Sequence, residues 1–190
     1  MSAEKRKTGK LHREDAHEMN NGRFNNDGYS LVELVIVIAI IALIISTVFY
    51  SVIIVFSANA KSCANNIQRA IGDCKVTTMG KSAAYMELYR DTDQDVYTRM
   101  YVMDSSGAYV PSEPQKVGTS RVYVAYTPKG GGETELLAGT KIEIRFNRAS
   151  GGFAKDTSGN VYEMIHVQAG SKDYEIILTE LTGKSEVKLK

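Results

Sequence analysis

The chain has 190 residues, 43% hydrophobic and 24% charged, with a formal net charge of +1 and a mean hydropathy of −0.21. Such averages describe one domain of ordinary size with some extra length, and the balanced charge excludes a nucleic-acid binder that relies on a basic stripe. The averages conceal two opposites. Six Lys/Arg and five Asp/Glu crowd the first twenty-eight residues, whereas residues 34–56 form a run of twenty-three without one charge; from Tyr29 onward seventeen bases balance seventeen acids.

The charged opening is followed by the apolar run, which exceeds the roughly 20 residues that a helix needs to cross about 30 Å of hydrocarbon. It is β-branched throughout, a strand signal in water. In lipid an open strand leaves its backbone groups unpaired, so helix is the physical expectation. Three readings compete: a plain membrane anchor, a secretory signal, and a segment that serves first as an anchor and later elsewhere. Ala58-Asn59-Ala60 offers a small-x-small cleavage site after the run, but a signal core is about 7–15 residues and this one is longer. Glu33 is the oddity. A carboxylate at the edge of an apolar span either sits at headgroup level, where its cost is small, or has a functional partner.

Gly28-Tyr29-Ser30-Leu31-Val32-Glu33-Leu34, set between a charged leader and an apolar run, resembles the processing site of type IV prepilins and type II secretion pseudopilins. The pattern joins a glycine before the cut, an aromatic after it, a hydroxyl residue next, and a glutamate five residues into the mature chain. The resemblance implies that a membrane prepilin peptidase, which is also the N-methyltransferase, cuts after Gly28 on the cytoplasmic side and methylates the new amino group of Tyr29. It also implies that Glu33 attracts the N-terminal amine of a neighbouring pilin or pseudopilin subunit during assembly on an inner-membrane platform, which neutralises a charge that would be costly in an apolar filament core. Glycine lets a protease approach the backbone closely. Tyr29 stands where Phe is commonest in the family, and the leader is longer than the shortest ones. The six basic residues hold that leader in the cytoplasm under the positive-inside rule. No cofactor is implied.

Beyond the run, Ala60, Cys63, Ala64, Ile67, Ala70, Ile71 and Cys74 recur at spacings of three and four, the mark of an amphipathic helix. The expected organisation is therefore a leader over 1–28, a helix over 29–76 with its transmembrane part at about 31–56, and a head over 77–190. An unbroken helix from 29 to 76 would be roughly 70 Å long. On it Cys63 and Cys74 would share the buried stripe but stand about 16 Å apart, too far for the roughly 7 Å that a disulfide allows. A break at Gly72 would reopen that pairing.

From residue 96 the texture becomes short alternating runs with turn signals, which read as antiparallel strands at 96–103, 121–126, 141–146, 161–167, 174–181 and 186–189. The fold class expected is α+β, a long N-terminal helix packed on an antiparallel β-sheet head, pilin-like by the resemblance. The far end, with Ile142-Glu-Ile-Arg-Phe146, Gly151-Gly152, Tyr174-Glu-Ile-Ile-Leu178 and Thr182-Gly183-Lys184, is similar to the closing strands of the GspH/FimT group of minor pseudopilins, with Lys184 in place of the usual Arg.

Other chemistry finds little support. Gly80-Lys81-Ser82 and Gly183-Lys184-Ser185 imitate the tail of a phosphate-binding loop, but Lys75 and Leu178 occupy the places of its first glycine. His17-Glu18 begins a zinc-protease pattern whose second histidine would be Asn21. Asp91, Asp93 and Asp95 alternate as in a calcium loop, yet Val96 and Val102 stand where its glycine and closing glutamate belong, so a solvated turn is expected and no metal site is assigned, with calcium binding, known in some pseudopilins, as the alternative. His166 is the single histidine after the leader and has no Ser or Cys motif beside it, so no catalytic residue is expected. The expected protein is a non-enzymatic subunit that is first a single-pass membrane protein with an extracytoplasmic head and then part of a filament. The rival is a permanently anchored protein whose β-rich head binds a ligand or catalyses a reaction.

Overall fold

The computed structural model describes residues 30–80 and 82–190, the side chains of 47–58 excepted. Among the described residues one helix, α1 (Leu31–Gly80), is followed by eleven strands: β1 (Ala84–Arg90), β2 (Val96–Met103), β3 (Tyr109–Pro111), β4 (Gln115–Gly118), β5 (Tyr123–Pro128), β6 (Thr134–Glu135), β7 (Lys141–Phe146), β8 (Phe153–Ala154), β9 (Tyr162–Ala169), β10 (Lys172–Thr179) and β11 (Lys184–Leu189). The class is α+β with antiparallel sheets. The chain divides into two compact units between Ile41 and Ala42, the second of which carries the head.

Inside the second unit α1 buries the stripe that its spacing announces. Ala60, Cys63, Ala64, Ile67, Ile71 and Cys74 are each at most 1% exposed and join one core with the inward side chains of the strands. Small residues on that stripe let the sheet come close, and a Cβ added to Gly118 of β4 would press on the Cys63 Sγ at 2.8 Å. The helix runs through Gly72 without a break, and both cysteines are free and buried. It also ends later than expected, at Gly80 instead of 76. Buried Thr78 accounts for the extra turn: its Oγ1 lies 2.8 Å from the Cys74 carbonyl oxygen and 3.1 Å from that of Ala84, which ties the helix end to β1.

The strands form two sheets where one was expected. The first runs β3-β2-β1-β7-β8 with β4 also on β2, and the second runs β11-β10-β9-β5-β6. Arg90 joins them at the end of β1. Its guanidinium is buried and donates to three carbonyls, Leu136 at 2.8 Å, Gln94 at 2.6 Å and Val122 at 2.7 Å, so one forked cation satisfies three chain segments that no ladder reaches. On the outward side of the first sheet Tyr85 stacks on Tyr101 with centroids 4.6 Å apart, and Arg145 lies over the Tyr85 ring at 4.1 Å. Stacking of this kind shields a sheet face that no helix covers.

Candidate functional site

The expected processing residues Gly28 and Tyr29 lie outside the described residues. Next to them, the Ser30 carbonyl accepts the Leu34 amide at 3.0 Å, which begins the helical ladder. Glu33 stands in the first turn of α1 and is exposed, where the positive end of the helix dipole favours a carboxylate. The apolar side chains that follow are exposed from Leu31, at 79%, to Ile45, at 49%. A row of large apolar groups left open in water is a surface that something else must cover. No helix among the described residues is long and apolar enough to cross a membrane.

In the sequence a charged stretch, a glycine and an aromatic precede the first-turn acid and the apolar helix face. Residues 23–49 match the prokaryotic N-terminal methylation motif. The match covers the boundary between the charged stretch and the apolar run, and it supports a place in the type IV pilin and pseudopilin family. The motif implies processing by a prepilin peptidase and assembly with other pilins, hence a membrane-anchored form that precedes the filament. No curated protein and no solved structure matches the chain.

The alternating carboxylates of the head are occupied locally. Asp91 to Asp95 form the turn between β1 and β2, with Gln94 in the left-handed region at φ 68°. Asp91 caps the Thr92 amide at 2.7 Å and Asp93 accepts from the Asp95 amide and the Tyr97 hydroxyl, both at 2.9 Å. The bond to Asp93 pushes the Tyr97 phenol up to about 12. Asp95 pairs with Lys116 and accepts the Ser120 amide at 2.7 Å, and Lys116 holds its carboxyl below the usual range. Three carboxylates that alternate in sequence thus share no donor and turn to separate partners.

His166 is only 7% exposed. Its Nδ1 is 3.2 Å from a Glu133 oxygen and its Nε2 is bonded to Asp173, with the Tyr123 ring edge-on at 5.8 Å. Both ring nitrogens are occupied by carboxylates, so neither faces a nucleophile. The sequence picks out His166 but not its partners, Asp173 seven residues on in the neighbouring strand and Glu133 in the distant β5–β6 loop.

Proposed function

We propose that the protein is a structural subunit of a type IV pilus-like or pseudopilus filament, without enzymatic activity, cut after Gly28, N-methylated on Tyr29 and handed from the membrane to the filament. We further assign it to the GspH/FimT-like minor pseudopilins, acting in secretion, DNA uptake or adhesion. The observation that carries the reading is the methylation motif over residues 23–49, which falls on the charge-to-apolar boundary. The exposed apolar face of α1 supports it, since lipid and a bundle of neighbouring helices are both apolar covers. In this reading the transmembrane half of the helix, about 31–56, is stored in the inner membrane with the head outside the cytoplasm, and an assembly platform moves it into register with its neighbours. Head-to-tail contacts of one kind then extend without closure.

Glu33 is the assembly residue. In the filament its carboxylate faces the methylated amine of the adjacent Tyr29, a pair whose separate members would be costly in an apolar surround. Glu33→Ala leaves cleavage after Gly28 unchanged and reduces the subunit recovered in sheared filaments at least tenfold, read by immunoblot of filament and membrane fractions. An unchanged filament yield would count against the role.

A further inference from the structure

We propose that the polar cleft between the two sheets of the head binds a single pyranose ring. The cleft encloses about 320 Å³, at the lower end of the roughly 300–1,000 Å³ of small-molecule sites. Its walls come from β5, β6, β7 and β9 and from the turn at 155–160, so a framework of strands holds it open before any ligand arrives.

The charges that line it are already committed. The Glu143 carboxylate accepts Arg145 at 3.0 Å and the Thr157 hydroxyl at 3.1 Å. Asp156 accepts the Ser158 and Asn160 amides at 2.9 and 2.8 Å on one oxygen and the Tyr162 hydroxyl at 2.7 Å on the other. Lys141, the cation at the rim, is paired with Glu87 at 2.5 Å. A cationic ligand would find each acid with donors in place, and an anionic one would meet two carboxylates with the lysine engaged. An uncharged ligand avoids both conflicts.

What remains for a ligand is a set of short-range donors and acceptors beside an apolar wall. Thr134, Ser158 and Asn160 line the space with short polar side chains, of which the Thr134 hydroxyl already lies 3.5 Å from the Gly132 carbonyl. The half-buried Tyr126 and Pro128, backed by buried Ile142 and Tyr162, supply a small apolar side, with Tyr126 edge-on to Tyr162 at 5.6 Å. Many hydroxyls on one rigid ring that also has an apolar C–H face is the chemistry of a sugar, and the size of the cleft limits it to one residue. The site stands on the head alone and does not depend on the filament reading.

The test uses the full chain, solubilised in a detergent without a sugar headgroup. Methyl α-D-glucopyranoside, methyl α-D-galactopyranoside and N-acetyl-D-glucosamine are titrated by calorimetry and by saturation-transfer NMR. At least one is expected to bind saturably, and glucuronate, of like size but charged, at least tenfold more weakly. Ser158→Trp and Thr134→Trp each plug the cleft from exposed positions outside the core; either weakens binding at least tenfold, whereas Glu113→Trp, elsewhere on the surface, leaves it unchanged. A free sugar and the end of a longer glycan share this chemistry, and comparing N-acetyl-D-glucosamine with its linear trimer separates them, a tighter trimer marking the glycan. Absence of saturable binding by all three sugars, or binding undiminished in both plugged variants, overturns the proposal.

Discussion

The Asp95 carboxylate pairs with Lys116 and accepts the Ser120 amide, so one side chain ties the β1–β2 turn to the chain around β4. Its folded pKa lies below the ordinary value, chiefly through Lys116. The contribution is therefore fully present above the unfolded value of about 4 and is lost as pH falls through the lower folded value. Asp95→Asn costs about 1 kcal/mol at pH 7, and urea melts at pH 7 and pH 3 should show the gap to wild type closing in acid. A gap that stays constant with pH would contradict the assignment. The cysteines give a second residue-level expectation. Burial, the largest influence on each, pushes the Cys63 and Cys74 thiols up to about 12, so neither forms the reactive thiolate near neutrality. Iodoacetamide at pH 8 should leave both unmodified in the folded protein and label both in urea, as judged by mass; labelling of the folded protein would refute their inertness.

Among the elements, α1 was legible because its stripe repeats at helical spacing, and the side chains so chosen are the ones that touch the sheets. Strand β1 was not. Its sequence, Ala84-Tyr-Met-Glu-Leu-Tyr-Arg90, puts half-buried tyrosines on the outer face and a buried arginine on the inner one, which blurs the apolar-polar alternation by which a strand is recognised. The two-to-four-residue strands β3, β4, β6 and β8 are too short for any period. The turns are another matter, since glycine marks them. Gly183, between β10 and β11, sits at φ 58°, and a Cβ there would overlap the Gly151 carbonyl oxygen. Gly107, at φ 85° between β2 and β3, has open space around it. Gly107→Ala should therefore cost only its backbone strain of about 1 kcal/mol, roughly 2–4 °C in Tm for a chain of this length, whereas Gly183→Ala adds a clash with backbone and should lower the Tm by more than roughly 4 °C. Calorimetric Tm values for the two variants check the order; equal shifts would mean that the close approach of the two loops contributes nothing.

At the scale of the whole molecule, the two kinds of site differ in how they are written. The proposed processing segment is contiguous, Gly28 to Leu34 beside an apolar run and within the matched methylation motif, so it can be read without a fold. The cleft is assembled from four separate stretches around Tyr126, Thr134, Glu143 and Asp156, and only the pairing of β5 with β9 and the seating of the 155–160 turn bring them together. Pairing partners are likewise a tertiary property: alternation announces strands but not that they divide into two sheets joined by Arg90. The balanced composition resolves in the same way. From Tyr29 onward, the mature chain under the proposed cleavage, there are seventeen bases and seventeen acids, and one acid, Glu33, stands in the first turn of the apolar helix. The central claim is that this chain is cut and methylated at that boundary. Mass spectrometry of the N-terminus of protein from cells that possess the prepilin peptidase decides it: a chain that begins with N-methylated Tyr29 is expected, and an intact leader in those cells would refute cleavage at Gly28.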